Sequence, residues 1–204
     1  MSGVRIDHTV TSGTFSLDGE TFDVDNNVWV VGDDEECVVV DAAHDAEAVL
    51  DVVAGRRVLA VLCTHAHDDH VRAAPAVARS AGAPILLHPD DAPLWQLTHP
   101  DVEPDEQLAD GSRVVVGDVE LTVIHTPGHS PGAVCFYADE LGVLFTGDTL
   151  FAGGPGATGR SFSDRDMLVA SIRSRLFALP DQTVVHTGHG DSTTIGAEAA
   201  GLGR

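Results

Sequence analysis

Three histidines and two aspartates fall within one seven-residue stretch, directly after the apolar run 58–63: His65, His67, Asp68, Asp69 and His70. Side chains two residues apart project to the same side of an extended segment, so His65 and His67 can bind one metal ion. Asp69 and His70 are adjacent and diverge at a turn, so they can face a second ion. Imidazole and carboxylate are good ligands for divalent cations, which offset the cost of burying such groups together. A solvated polar loop, or a helix start capped by Asp68 or Asp69, is the plainer alternative.

Three further candidate ligands follow at separate positions, each just past a strand-like run: His129, Asp148 and His189. Glycines adjoin each of them, and glycine lets the backbone approach an ion closely and adopt unusual dihedral angles. Each signal is weak alone, because a histidine between two glycines or an aspartate in a turn is commonly structural. Their order after the histidine cluster makes the joint case for a metal site.

Apolar alternation and turn residues predict the elements that position these side chains. Strands are expected at 4–15, 21–31, 37–40, 58–63, 84–87, 113–116, 119–124, 133–137, 143–146 and 183–186. Helices are expected at 45–54 with Gly55 as the cap, 71–81, 88–97, from a cap near Ser163 to about 179, and 193–200. Strand-rich runs with helices in each half predict an α/β fold of four layers, two β-sheets packed together with helices outside, and leave the order of strands open.

Length and composition narrow the class of protein. The 204 residues are expected to form one domain, 1–204. The formal net charge is -21 and all eleven basic residues are arginine, which argues against nucleic-acid and membrane partners but not against a small anionic substrate at a metal site. Without a membrane-length apolar run or a signal pattern, a cytoplasmic location is expected. Cys37, Cys63 and Cys135 lie in strand-like runs, which indicates buried, reduced thiols.

The ordered set of ligands resembles the metallo-β-lactamase-fold hydrolase superfamily, whose signature is H-x-H-x-D-H followed by separated His, Asp and His. The resemblance runs from Asn26 to Gly196, and the segments 125–130 and 147–151 are similar to the glyoxalase II branch. It implies an αββα sandwich and two divalent metal ions, zinc first, with iron or manganese as alternatives. One metal would be held by His65, His67 and His129, the other by Asp69, His70 and His189, and Asp148 would bridge both.

The resemblance also implies a reaction. A hydroxide shared by two metals about 3.5–4 Å apart attacks a carbonyl carbon, and a metal stabilises the oxyanion that forms. Because a thiolate leaves without strong acid assistance, a small-molecule thioester is the natural substrate, as in glyoxalase II. Asp69 and Asp148 are the candidate catalytic residues, with Asp69 assisting proton movement in addition to binding metal.

Departures from glyoxalase II keep other functions open. Glyoxalase II enzymes carry a C-terminal helical extension that binds glutathione, whereas this chain ends about fifteen residues after His189 and has no lysine. It is similar to short single-domain bacterial members, so the carrier thiol is left open, with mycothiol and glutathione as the candidates. The alternatives are an iron-dependent persulfide dioxygenase using two histidines and one aspartate, a lactonase or esterase acting at the same site, and a non-catalytic metal-binding domain.

Several residues near the predicted site have open roles. Asp41 is either a turn residue or a carboxylate that supports the metal ligands. Arg160, at the end of a glycine-rich segment expected to form a wall of the site, either meets a substrate carboxylate or pairs with a neighbouring acid. Supporting or packing roles are expected for His88, His125 and His186.

Overall fold

The computed structural model describes residues 3–203, so the predicted domain 1–204 extends slightly beyond it at both ends. Six strands in the order β1 to β6 form the first sheet. Strands β1 and β2 make a long hairpin around Asp18 and Gly19, whose positive φ angles of 56° and 78° are those an Asp-Gly hairpin turn requires. Strands β3 to β6 run parallel. The strands are β1 (Arg5–Leu17), β2 (Glu20–Gly32), β3 (Glu36–Val40), β4 (Arg57–Leu62), β5 (Ile85–Leu87) and β6 (Glu106–Gln107).

The second sheet also has six strands, in the order β14-β13-β10-β9-β8-β7. Strands β10 and β13 are parallel, and the other neighbours are antiparallel. A two-stranded hairpin, β11 with β12, lies within the glycine-rich segment. The strands are β7 (Arg113–Val116), β8 (Val119–His125), β9 (Val134–Ala138), β10 (Val143–Gly147), β11 (Leu150–Phe151), β12 (Gly154–Pro155), β13 (Val184–Thr187) and β14 (Thr193–Thr194).

Helices cover the outer face of each sheet, which gives the predicted four-layer αββα arrangement. Successive side chains of β2 point to opposite faces of the first sheet. Trp29 and Val31 pack between the sheets, whereas Val28 and Val30 pack on the opposite face against helices. A third apolar cluster joins the second sheet to the last two helices. The helices are α1 (Ala46–Val53), α2 (Asp68–Val71), α3 (Ala74–Ala81), α4 (Ala92–Thr98), α5 (Arg165–Ser171) and α6 (Ile195–Leu202).

The prediction of a helix over 71–81 is wrong about where the helix begins. Helical structure begins at Asp68, with His67 preceding it as the cap residue, and is divided into α2 and α3. Pro75 lies in the first turn of α3, and proline favours that position because it has no backbone N–H to donate. Asp69 and His70 are therefore helical residues on the first turn of α2.

Other helix ends also differ from prediction. Helix α1 ends at Ala54, which takes the left-handed conformation (φ 55°) expected of Gly55. The cap of α5 is Asp164, whose side chain accepts from the Met167 N–H, and not Ser163. That helical region ends in one π turn at Leu176, short of 179. The element predicted at 88–97 consists of a 3₁₀ turn, Pro89–Asp91, and α4, and the one at 193–200 consists of β14 and α6.

The three cysteines are buried free thiols, as predicted. Within residues 3–203, no helix combines the length and apolar character needed to cross a membrane.

Candidate metal centre

The predicted ligands come together from loops that follow strands of both sheets. The cluster 65–70 follows β4, and His129, Asp148 and His189 follow β8, β10 and β13. Because β10 and β13 are parallel neighbours, their carboxyl ends place Asp148 and His189 side by side. Backbone hydrogen bonds from Val134 to Thr64 (2.8 Å) and from Asn27 to Gly188 (2.8 Å) join the two sheets here.

Three buried imidazoles form the first ligand group: His65, His67 and His129. Both His65 Nε2 and His129 Nε2 lie 3.0 Å from His67 Nδ1. Three ring nitrogens thus converge on one point, the arrangement in which imidazoles bind a single cation.

The second ligand group consists of Asp69, His70 and His189. The Nε2 atoms of His70 and His189 are 3.3 Å apart, and Asp69 Oδ2 lies 3.3 Å from His189 Nε2. Asp148 lies between the two groups. Its Oδ1 is 3.2 Å from His70 Nε2, and its Oδ2 is 3.6 Å from His129 Nε2.

Two glycines allow this close approach. A Cβ atom on Gly188 would lie 2.4 Å from Asp148 Oδ1 and 2.7 Å from His70 Cε1. A Cβ atom on Gly147 would lie 2.2 Å from the Thr64 hydroxyl oxygen. Side chains cannot be accommodated at these distances, so glycine is required where the loops after β10 and β13 meet the cluster after β4.

Backbone carbonyls determine where the lone pairs of two histidines point. His129 Nδ1 is 2.8 Å from the Ala157 carbonyl oxygen, and His189 Nδ1 is 2.7 Å from that of Asp25. A carbonyl oxygen only accepts, so each Nδ1 carries the proton. In the neutral imidazoles the Nε2 atoms therefore direct lone pairs toward the other ligands.

Asp41 has the same effect on His70 and, through Thr64, on His65. The Asp41 carboxylate accepts from the Thr64 N–H (2.7 Å), the Thr64 hydroxyl (2.7 Å) and His70 Nδ1 (2.9 Å). Since the Thr64 hydroxyl donates to Asp41, it accepts from His65 Nδ1 at 3.0 Å. Asp41 holds this position at φ 55°, an uncommon backbone conformation outside glycine. It therefore supports the ligands as a carboxylate, in addition to occupying a turn.

These atoms fit divalent cations. Ring nitrogens of five histidines face inward and meet two carboxylates, and within the described chain Asp148 Oδ1 is buried without a hydrogen bond. Lone pairs and carboxylate oxygens repel one another unless positive charge lies between them. The two ligand groups, with Asp148 shared between them, can hold one cation each.

Protons are the competing source of positive charge. Burial disfavours a charged His189, but the Asp148 carboxylate outweighs it and raises the pKa of His189 to about 10. Burial opposes ionisation of Asp69 as well, yet His70 and hydrogen bonds from His189 and Asn26 lower its pKa to about 2. In the first group, burial lowers the pKa of His67 to about 3, so this imidazole remains neutral and available to a metal.

Sequence patterns did not identify two supporting residues, Asn26 and Asp91. Asn26 Nδ2 donates to Asp69 Oδ2 at 3.0 Å, while its Oδ1 is 2.8 Å from His44 Nε2. Asp91 is fully buried and joins the two loops of the first group. Its carboxylate accepts from the Ala66 N–H (2.9 Å), the Ser130 hydroxyl (2.8 Å) and the Gly132 N–H (2.5 Å).

The remaining histidines lie outside these two ligand groups, although His88 and His125 form a further group with Asp90 whose ligand atoms are close together. The rings of His88 and His125 stack 4.1 Å apart, and His186 packs on Trp29 at 4.3 Å. These contacts agree with the packing roles predicted for the three histidines.

An open cleft of about 380 Å³ lies over the ligands, with walls that include Phe15, Val24 and Ala157. A recess of about 60 Å³ adjoins it and shares Phe15, His67, His129 and Ala157. Arg160 lines this recess and forms an ion pair with Glu20 at 2.7 Å. The predicted pairing of Arg160 with an acid is therefore present, and the glycine-rich segment does contribute a wall of the site.

Comparison with known proteins identifies relatives over most of the chain. A family model described as the metallo-beta-lactamase superfamily matches residues 21–189. A hydroxyacylglutathione hydrolase of Aliivibrio fischeri is 34% identical over 168 residues, which cover 81% of this chain and 62% of that protein.

Solved structures share the fold as well. The crystal structure of TTHA1623 in a di-iron-bound form is 35% identical and superimposes with a TM-score of 0.77, covering 93% of this chain and 96% of that one. ETHE1 from Myxococcus xanthus is 26% identical, with a TM-score of 0.77 over 95% of this chain and 84% of that chain.

Proposed function

The chain belongs to the metallo-beta-lactamase superfamily of metallo-hydrolases, and from that premise we propose that it is a binuclear hydrolase that cleaves small-molecule thioesters. The observation that carries the proposal is the pair of ligand groups that share Asp148 beside an open cleft. Similarity to a hydroxyacylglutathione hydrolase supports the choice of a thioester.

In this proposal the first group would hold one divalent cation and the second group another, with Asp148 lying between the two groups. When bound, the cations polarise a carbonyl oxygen and lower the pKa of water toward neutrality. The protein orients the ligands through Asp41 and through the Ala157 and Asp25 carbonyls, so that no ring has to turn when substrate arrives.

Asp69 lines the cleft, and the amide of Asn26 holds one of its oxygens. With its pKa lowered to about 2, chiefly by His70 against the opposing effect of burial, Asp69 is an anion and a weak base. We therefore assign it to binding metal and to orienting the proton of the attacking water, and not to storing that proton. Because the pKa of a thiol is about 8.5, the thiolate leaves without an acid to protonate it.

Thiol release from a panel of acyl thioesters tests the proposal. The panel includes glutathione, mycothiol and a minimal thiol as carriers, with a chelated sample alongside. Turnover should disappear with chelator and return with zinc, iron or manganese, and about two metals per chain should be bound in the active sample. Absence of turnover in protein that holds two metals would contradict the proposal.

A matched pair of carboxylate variants separates the site from the acidic surface. Asp148→Asn removes a charge between the ligand groups and should lower both metal content and turnover. Asp51→Asn removes a charge from an exposed position on α1 and should change neither. Equal effects of the two substitutions would mean that overall charge, and not the site, controls metal binding.

A persulfide dioxygenase is the second candidate, favoured by the structural similarity to ETHE1. Two histidines and one aspartate suffice for a single iron, and the centre contains such sets. Oxygen uptake with glutathione persulfide, in protein that holds one iron per chain, would favour this activity over hydrolysis. A lactonase or esterase would show turnover of oxygen esters in the same panel.

A further inference from the structure

The recess beside the first ligand group differs from the cleft in its charge. Asp25, Asp69 and Asp148 line the cleft, whereas no acidic side chain is among the described residues that line the recess. Arg160 is the side chain with a fixed charge there, and the others are Phe15, His67, His129, Ala157, Thr158, Ser161 and Ser163. In a protein with 32 acidic residues, this small cavity is suited to an anion.

Aromatic contacts and one ion pair hold Arg160 in place. Its guanidinium carbon lies 4.8 Å from the centre of the Phe22 ring and 5.8 Å from that of Phe15, distances at which a cation is attracted to a ring. Its Nη1 donates to Glu20 Oε2 at 2.7 Å. The arginine is therefore positioned by the β1–β2 hairpin before any ligand is bound.

The loop that carries Arg160 is fixed to the same hairpin. The Ser161 N–H donates to Asp18 Oδ2 at 2.9 Å, and the Ser163 hydroxyl donates to the Arg160 carbonyl at 2.7 Å. Both contacts act on the segment that forms the wall of the recess. The recess is thus a built feature of the fold.

Arg160 has unused capacity to bind. A guanidinium carries five N–H donors, and among residues 3–203 its recorded hydrogen bond is the one to Glu20. The Glu20 side chain is 63% exposed, so water screens the ion pair and the pair contributes little to the free energy of folding. A second carboxylate can therefore share the guanidinium. His67 also lines the recess, and its Nε2 atom is buried without a hydrogen bond in the described chain.

We propose that the recess receives the acyl part of the substrate and that Arg160 binds a carboxylate at its far end. The preferred substrates are then thioesters of short dicarboxylic acids. The acyl part enters the recess because His67 and His129 border both cavities, so a carbonyl at the first group can extend into it. The small volume favours a short chain, and the larger cleft accommodates the carrier thiol. This inference rests on the proposed thioester hydrolysis.

Paired substrates of equal chain length test the recess. Succinyl and butyryl thioesters of one carrier differ by the terminal carboxylate that Arg160 would bind. We expect metal-loaded protein to prefer the succinyl thioester at least tenfold in kcat/KM, and Arg160→Gln to remove that preference through the succinyl substrate alone. Glu20→Gln should increase the preference, because it removes the competing carboxylate. Arg165→Gln, which changes an arginine outside the recess, should leave the ratio unchanged.

Equilibrium binding gives a result that does not depend on turnover. Succinate and butyrate are the acids that hydrolysis would release, and we expect succinate to bind metal-loaded protein at least tenfold more tightly, with the difference lost in Arg160→Gln. Turnover with equal kcat/KM for the two thioesters, or equal binding of the two acids, would overturn the role of Arg160. If neither thioester is cleaved while succinate still binds through Arg160, the carboxylate-binding role of the recess is supported and the proposed thioester hydrolysis is contradicted.

Discussion

Asp91 is a single residue that connects the two loops of the first ligand group without belonging to it. Its carboxylate accepts from Ala66, which lies between two ligands, and from Ser130 and Gly132, which follow the third. In Asp91→Asn the new NH₂ group faces donors, so at least one buried donor loses its acceptor, at a cost of about 1–3 kcal/mol. We expect the first site to bind metal at least tenfold more weakly while the second site is little changed.

Asp41→Asn is the comparison for the second group, because Asp41 accepts from His70 directly and reaches His65 of the first group only through the Thr64 hydroxyl. Titration of each variant with cobalt, followed by its absorption spectrum, reports the two sites separately. We expect Asp91→Asn to weaken mainly the first site and Asp41→Asn to weaken mainly the second, with a smaller effect on the first through Thr64. If both variants lose the two sites equally, the carboxylates stabilise the whole fold and do not position individual ligand groups.

Gly188 supports a second prediction for a single residue. A Cβ atom there would overlap Asp148 Oδ1 and His70, so Gly188→Ala should displace one of these ligands and abolish tight binding of at least one metal. Gly201→Ala is the control, because a Cβ atom at that position in α6 meets nothing within 4 Å. Metal analysis after dialysis would measure the loss, and full metal content in Gly188→Ala would contradict the steric argument.

The ligand residues could be proposed from the sequence because their types are unusual and each follows an apolar run. Asn26 and Asp91 could not, because their roles depend on partners distant in sequence: Asp69 and His44 for one, Ala66 and Ser130 for the other. An asparagine in a strand or an aspartate after Pro89 carries no local sign of such contacts. Whether the seven ligands hold metal stays a prediction that the experiments above address.

At the scale of an element, α1 ends in a residue that strains its backbone. Ala54 takes φ 55° and is exposed, a conformation that costs a residue with a Cβ atom roughly 1 kcal/mol relative to glycine. Ala54→Gly should therefore stabilise the metal-loaded protein by about 1 kcal/mol in urea unfolding. Ala48→Gly, inside the same helix, should instead destabilise it by about 1 kcal/mol. Destabilisation by Ala54→Gly would contradict this account of the helix end.

The elements themselves were largely predictable, but their ends were not. Alternation and the Asp18–Gly19 turn predict the long β1–β2 hairpin correctly. The glycine rule places the end of α1 at Gly55, yet the backbone turns one residue earlier. Tertiary contacts decide such details: helical structure begins at Asp68 because the segment must present Asp69 and His70 to loops of the other sheet.

At the scale of the molecule, the pattern of apolar runs predicted the four layers but not the order in which the strands are connected. A continuous apolar run such as residues 28–31 of β2 requires two covered faces, which implies helices outside and a sheet partner inside. Nothing local indicates that β10 pairs in parallel with β13 across about 40 residues of chain, and that pairing brings Asp148 beside His189. The site therefore depends on the order of the strands, which the sequence left open.

Metal binding should release protons, because cations and protons compete for the same pairs of residues. Asp148 raises the pKa of His189 to about 10 against the effect of burial. Burial likewise disfavours a charged His70, but Asp69 and Asp148 raise its pKa well above the usual value. The His189 imidazole is therefore protonated at pH 7.5 in metal-free protein, His70 holds its proton more strongly than a free imidazole does, and occupation of the second group must displace these protons. Raising the pH removes the competitor, so the metal affinity should increase between pH 6 and pH 9.

Calorimetric titration in two buffers of different ionisation enthalpy measures the protons released, and we expect at least the His189 proton to be released when the second group is occupied. The Asp148→Asn variant, in which the carboxylate that raises both pKa values is absent, should release fewer. Binding without proton release in native protein would show that the two histidines are already neutral and that the carboxylates do not control their charge.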